Sequence, residues 1–249
     1  MLNKDEVNRF GPPGNSLAQK EKDYVQHWVL SYLSRAGFEG IFKGGTCLQK
    51  AFGLPRYSED LDFSIQEQNL AKDSLIGFLA SAGFGGVKVQ ENAGRESVTI
   101  KLTYQGPLYV GKKLSEGVVG LEFSKREKVL LQAVPTLITP PYPDLLPYTL
   151  LVMDLCEMAA EKIRAVITRH SARDLFDLYF IFRRGSVPEK RWVDEKLSYY
   201  KKTFHLKEFE HKAAALENIW KTEMGTLLPN APDFKPIYES VIGHAGKIR

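Results

Sequence analysis

The sequence predicts an α+β protein in two lobes, an N-terminal mixed sheet with flanking helices followed by a helical subdomain. Three observations carry this reading. Val98, Ile100 and Leu102 alternate with Thr99, Lys101 and Thr103, and Leu121 and Phe123 with Glu122 and Ser124, as in half-buried strands. Apolar residues at helical spacing precede and separate such strands. Composition then changes after a stretch holding Pro135, Pro140, Pro141, Pro143 and Pro147, beyond which helix-favouring segments follow one another. The expected division is 1–134 for an α/β domain with an N-terminal arm, 135–147 for a linker and 148–249 for the helical subdomain.

Each element has a local cause. Residues 1–15 are polar, carry Gly11-Pro12-Pro13-Gly14, and read as an extended arm. Ser16 is a suitable N-cap for a helix through Val25, Trp28, Val29, Tyr32, Leu33 and Ala36, stopped by Gly37. Ile41-Phe42-Lys43 reads as a short strand entering a Gly44-Gly45 turn, with a short helix through Leu48, Ala51 and Phe52 closing at Gly53 and Pro55. A strand from Asp60 to Ile65 follows, then a helix through Leu70, Leu75, Ile76, Leu79 and Ala80 that ends at Gly83. Strands are expected at Val87–Gln90, Ser97–Tyr104 and Val118–Ser124, with the helices packed on one side of the sheet. After the prolines, Leu150–Arg169 and Ala172–Arg184 read as helices, as do Glu189–Lys202 and His205–Trp220.

Composition narrows the class. The 249 residues are long enough to bury a core, and 43% hydrophobic with 26% charged residues fits an ordinary globular chain. A formal charge of +4 permits a nucleic-acid partner. The charged N-terminus lacks the apolar core of a signal peptide, and no run is long and apolar enough to span a bilayer, so no membrane association and a cytoplasmic location are expected. Cys47 and Cys156 lie far apart without metal-ligand spacing and read as buried thiols.

The chemistry concentrates in Ser58-Glu59-Asp60-Leu61-Asp62-Phe63. Side chains two apart in a strand share a face, so Asp60 and Asp62 present their oxygens together while Leu61, Phe63 and Ile65 face a core. Like charges so close repel, and a cation between them relieves the repulsion. Oxygen-only ligands favour Mg²⁺, commonly held by one or two carboxylates plus substrate phosphates. Just upstream, the amides of Gly44 and Gly45, the hydroxyl of Thr46 and the positive end of the following helix suit phosphate oxygens, and Lys43 at the strand end is aimed the same way. Glu122 is read either as a third metal carboxylate or as an exposed strand glutamate. Lys125-Arg126-Glu127-Lys128 is a solvated charged turn or a backbone contact for RNA.

In the helical half, Lys162 falls on or beside the apolar face of its helix, where it either snorkels outward or binds phosphate. Asp174 and Asp177 are three apart on one helix and share a face, and Arg173 with Asp177 reads alternatively as a surface i,i+4 pair. Trp192, Tyr199, Tyr200, Phe204 and Phe209 form either helix-core packing or a docking stripe. Lys190, Arg191, Lys196, Lys201, Lys202 and Lys207 among them read as a solvated face or an RNA contact.

Taken together, Lys43-Gly44-Gly45-Thr46, Ser58–Phe63, Glu161-Lys162-Ile163-Arg164-Ala165 and Arg173-Asp174-Leu175-Phe176-Asp177-Leu178 resemble the motifs of the AbiEii/AbiGii nucleotidyltransferase toxins, of the DNA polymerase β-like superfamily. The resemblance spans roughly residues 25 to 185. It implies a two-lobed nucleotidyltransferase fold, NTP and Mg²⁺ as reactants, a cognate antitoxin protein, and transfer of NMP, in some members to the 3′ end of tRNA. Position by position it implies that Gly45 and Thr46 hold triphosphate, that Asp60 and Asp62 bind metal, that Lys162 is the lysine of the helical motif, and that Asp174 or Asp177 is the acid of the last. Thr stands where the family has Ser, and Glu122 where many relatives have Asp. A non-catalytic nucleotide- or RNA-binding module, and a transferase acting on the antitoxin, are the alternatives.

Overall fold

The computed structural model describes residues 1–66, 70–126 and 128–249, and Glu127 of the expected charged turn lies outside them. Two compact units divide the chain. The first, Met1–Gly53, Tyr57–Arg126 and Ala133–Val152, holds every strand among the described residues. In chain order it runs α1 (Lys4–Phe10), α2 (Leu17–Arg35), β1 (Ile41–Lys43), α3 (Gly44–Phe52), β2 (Leu61–Ser64), α4 (Lys72–Ser81), β3 (Gly85–Ala93), β4 (Ser97–Gln105), β5 (Gly117–Ser124), β6 (Val134–Ile138) and β7 (Tyr148–Val152). The sheet is mixed and seven-stranded, ordered β3-β4-β5-β2-β1-β7-β6. β2 runs parallel to β5 and antiparallel to β1, and β1 runs parallel to β7.

The second unit, Leu54–Arg56, Glu127–Gln132 and Met153–Arg249, is helical, with α5 (Leu155–Thr168), α6 (Ala172–Phe182), α7 (Lys190–Ser198), α8 (Leu206–Ala214), α9 (Glu217–Leu227) and α10 (Phe234–Ala245). Among the described residues, no helix is long and apolar enough to cross a membrane.

Three expectations need correction. The N-terminal arm is partly helical: Asn3 caps α1 by accepting from the amides of Asp5 and Glu6 while Glu6 reaches back to the Asn3 amide, a closed capping box. The proline-rich stretch is no linker. Val134–Ile138 pairs antiparallel with Tyr148–Val152, and β6 is an edge strand, the position in a sheet that tolerates a proline. The residues between are tied down by aromatics: Tyr142 donates to Asp23 Oδ2 at 2.8 Å and Tyr24 donates to Asp144 in a short hydrogen bond, while at the start of β7 Tyr148 Oη meets His27 Nδ1 at 2.7 Å. Finally, the helix expected from Leu150 begins at Leu155. Asp154 is its N-cap, accepting from the Cys156 amide at 2.7 Å, and the apolar run before it is the buried strand β7. A short apolar run has no periodicity to separate strand from helix.

The aromatic set of the helical unit is divided. Phe204 and Phe209 are core, whereas Tyr199 is exposed. Lys196, expected on a solvated face, is buried. Its ammonium bonds to Glu157 at 2.6 Å, to Glu161 at 3.1 Å and to the Lys128 carbonyl at 2.9 Å, and Glu157 also accepts from the amides of Leu130 and Leu131. This cluster seats the 128–131 segment on α5 and α7.

His27 sits buried on α2, and burial, reinforced by the nearby Lys50 charge against the opposing pull of Asp23, lowers its pKa to about 3. Its ordinary value is 6.5. Between these values an unfolded chain takes up a proton that the folded chain refuses, so this group's contribution is intact above pH 6.5 and is lost as pH falls towards 3. The slope is at most roughly 1.4 kcal/mol per pH unit. Urea midpoints at pH 7.5 and 5 are expected to differ more in the wild type than in His27→Gln; equal differences would remove His27 as the cause.

Candidate functional site

The acid strand is built from both sides. Leu61 and Phe63 of β2 are wholly buried, and Phe63 stacks between Phe42 of β1 and Phe123 of β5 at centroid distances of 5.2 and 5.5 Å. This fixes the opposite parity outward, where Asp62 is half-buried and Asp60, one residue before β2, is exposed. Three successive carbonyls before the strand are held: Gln26 Nε2 donates to Ser58 O at 3.1 Å and to Glu59 O at 2.7 Å, and Thr46 Oγ1 donates to Asp60 O at 2.5 Å. The acids therefore sit on a braced backbone, which keeps like charges in place against their repulsion.

Register gathers the other residues of this face. Lys43 pairs with Asp62, Asp62 with Glu122, and Glu122 with Thr99. Two glycines make room for the carboxylates. A Cβ on Gly44 would lie 2.3 Å from Asp62 Oδ2, and one on Gly120 would lie 2.5 Å from Asp60 Oδ1. Gly44 also has φ +79°, a conformation that L side chains rarely adopt. Asp62 thus stands at the N-terminus of α3, whose first backbone amides have no partners within their own helix.

The expected residues fare differently. Asp60, Asp62, Lys43 and Gly44 are brought together on one face. Gly45 is buried in the first turn of α3. Thr46, expected against phosphate, is instead wholly buried with its hydroxyl spent on the Asp60 carbonyl, so it positions the acid. Glu122 lies beside Asp62 in register, yet its side chain is 47% exposed and rests 3.9 Å from Arg126. Among the described residues, no group of three or more His, Cys, Asp or Glu side chains is arranged to hold a metal ion. The three-carboxylate ligand set is therefore not assembled. Two carboxylates in glycine-cleared space fit a cation that completes its shell with substrate phosphate and water, the usual pattern for Mg²⁺.

The helical unit holds a second constellation. Lys162 of α5 lies 2.9 Å from Asp174 and 2.6 Å from Asp177 of α6. Arg56 forks onto Asp177 at 2.6 and 2.7 Å, and Arg169 onto Asp174 at the same two distances. Burial alone would raise both carboxyls, but Lys162 and Arg169 hold Asp174, and Arg56 and Lys162 hold Asp177, below the ordinary carboxylate value. The two acids hold the Lys162 ammonium, and the surface pairing of Arg173 with Asp177 is replaced: Arg173 is exposed while Asp177 is fully buried.

Sequence reasoning missed Gln26, Gly120, Arg56 and Arg169. Gly120 alone left a signal, since a glycine inside an apolar strand marks close approach of another group. Gly120→Ala is expected to displace Asp60 and to lower activity by about 10²-fold with little change in melting temperature, a misplacement effect. Activity within threefold of wild type would show that Asp60 need not stand there.

Comparison with known proteins adds the following. A family model described as "Nucleotidyl transferase AbiEii toxin, Type IV TA system" matches residues 30–241. MenT4, a nucleotidyltransferase toxin from Mycobacterium tuberculosis H37Rv, superposes with a TM-score of 0.66 at 20% identity, covering 100% of this chain and 91% of that one. JHP933 from Helicobacter pylori superposes with a TM-score of 0.61 at 19% identity, covering 99% and 92%. At such identities these two likenesses concern the fold. No curated protein matches by sequence.

Proposed function

The chain belongs to the AbiEii nucleotidyltransferase toxin family, and from that premise we propose that it transfers NMP from an NTP to the 3′ end of an RNA, with tRNA as the acceptor and Mg²⁺ as the cofactor. Family membership makes it a nucleotidyltransferase with a nucleotide substrate and an antitoxin partner. The observation that carries the finer reading is the pair Asp60 and Asp62 on one braced, outward face at the start of α3, each with a glycine clearing its carboxylate.

Asp60 and Asp62 would hold the Mg²⁺, which when bound offsets the charge of the triphosphate and of the departing pyrophosphate. The amides at the start of α3 bind phosphate oxygens, aided by the helix dipole. Lys43, next to Asp62 in register, adds positive charge on the same face. Thr46 and Gln26 hold the acid backbone still, so the site does not need to reorganise as charge builds up. In the reaction the acceptor's terminal hydroxyl gives up its proton to solvent as its oxygen bonds to the α-phosphorus, the bond from that phosphorus to the bridging oxygen of the β-phosphate breaks, and pyrophosphate leaves.

The test supplies each α-labelled NTP with Mg²⁺ and total RNA to purified protein. The expected product is label at RNA 3′ ends together with stoichiometric pyrophosphate. Label on a protein would assign the acceptor to the antitoxin class, and NTP binding without pyrophosphate release under any acceptor would reduce the chain to a binding module.

A further inference from the structure

The sheet face that carries the acids continues past them. Parity along the register sorts the strands of the first unit into cross-sheet rows. One row is Asn92, Thr99, Glu122, Asp62 and Lys43. The next is Gln90, Lys101 and Gly120, with Asp60 against Gly120. The third is Lys88, Thr103 and Val118. The opposite parity, Val98, Ile100, Leu102 and Tyr104, is buried. Glu91 of that parity pairs with Lys72 of α4 at 2.8 Å, which places α4 on the far side. On the acid side, Lys88, Gln90, Asn92, Thr99 and Lys101 are exposed to solvent.

Three features of this face point to a ligand. Lys88 and Lys101 form no ion pair among the described residues, whereas Lys72 on the covered side does. Gly120 has no side chain and the Asp60 carboxylate lies over it, so Asp60 and Lys101 stand in one row with no other side chain of that row between them. Across two strand spacings, roughly 10 Å, a lysine and a carboxylate then address successive parts of one bound strand. Beyond the carboxylates Asp60, Asp62 and Glu122 at its acid end, the residues are hydroxyls, amides and cations with Val118 as the apolar exception. Such a surface lacks the buried aromatic or aliphatic anchors that fix a protein partner, and it matches a phosphate backbone with unpaired bases.

We infer that the open face of β3, β4 and β5 is the platform on which the 3′-terminal single strand of the acceptor RNA lies, with Lys101 and Lys88 as its phosphate contacts and the row Gln90, Lys101 and Gly120 leading to Asp60. This rests on the nucleotidyl-transfer reading for its direction, since the strand must end at the acid pair. It adds that the enzyme grips the acceptor by its backbone and so tolerates varied sequence near the end.

The experiment measures binding of a fluorescein-labelled single-stranded oligoribonucleotide to the full chain over a range of salt, for wild type, Lys88→Ala/Lys101→Ala, Lys101→Glu and, on the covered face, Lys72→Ala. The double variant is expected to bind about tenfold more weakly at low salt, and its slope of log affinity against log salt to shrink by about 1.4, two contacts at roughly 0.7 each. Lys101→Glu is expected to be weaker still, and Lys72→Ala to match wild type. In the transfer assay the double variant is expected to raise KM for RNA in proportion while leaving kcat and KM for NTP unchanged. Absent RNA binding by the wild type, an unchanged slope in the double variant, or an equal loss in Lys72→Ala overturns the inference. RNA binding that depends on the two lysines, without NMP appearing on RNA, supports the platform and removes the transfer reading instead.

Discussion

Asp60→Asn and Asp62→Asn are each expected to reduce NMP transfer by at least about 10³-fold, roughly 4 kcal/mol of transition-state stabilisation. The amide keeps the shape of the carboxylate, and so its fit beside Gly120 or Gly44, but removes the charge that a cation and a triphosphate require. Folding should not suffer. Asp60 is exposed, Asp62 is half-buried, and removing one of two repelling charges favours the folded chain. The expected result is therefore a melting temperature at or slightly above wild type with activity near background, measured as labelled RNA and released pyrophosphate. Transfer within tenfold of wild type in both variants would dismiss the acid pair as the site. The mirror experiment, removal of Mg²⁺ with a chelator, should abolish wild-type transfer and restore it on readdition.

The second large effect is on stability. Asp177→Ala should destabilise the chain by about 3–5 kcal/mol, because Arg56, itself buried, loses its bidentate partner and Lys162 one of two. Urea unfolding should show a lower midpoint with an unchanged slope. Arg173→Ala, at the exposed position that local spacing pairs with Asp177, should move the midpoint by no more than about 0.5 kcal/mol. Similar midpoints for the two variants would refute the buried network. The acid dependence of this network differs from that of His27. Asp174 and Asp177 titrate below their ordinary value of 3.8, so their contribution persists above that pH and is lost only as pH falls through their lowered values.

Much of the candidate site can be read along the chain because its parts are local. Two acids at strand spacing, a glycine pair at a strand end and an apolar alternation are visible without a fold. The strands β1, β2, β4 and β5 could be read for the same reason, since each carries a burial pattern within its own residues. Strand β6 could not. Pro135 within it and the four prolines that follow argue for a break, and only the edge position beside β7 makes Pro135 tolerable. Lys196 misled in the same way. A lysine on an amphipathic helix reads as solvated, and nothing nearby in sequence announces Glu157 and Glu161 waiting to receive it.

Residue types and their spacing along the chain are enough to place the acids, the turn expected to face phosphate, and the family whose motifs these are. Folding then assigned each side chain its partners. It turned Thr46 from a phosphate ligand into a brace for Asp60, left Glu122 beside Arg126 in solvent, and made Asp174 and Asp177 the buried anchors of Lys162. It also set Lys101 in line with Asp60, whose carboxylate lies over Gly120. The reason is physical. Residue type and spacing fix what a side chain can do within a few residues, whereas its partners, its burial and therefore its charge state depend on strands and helices far away in sequence, which only the register and packing of the folded chain bring together.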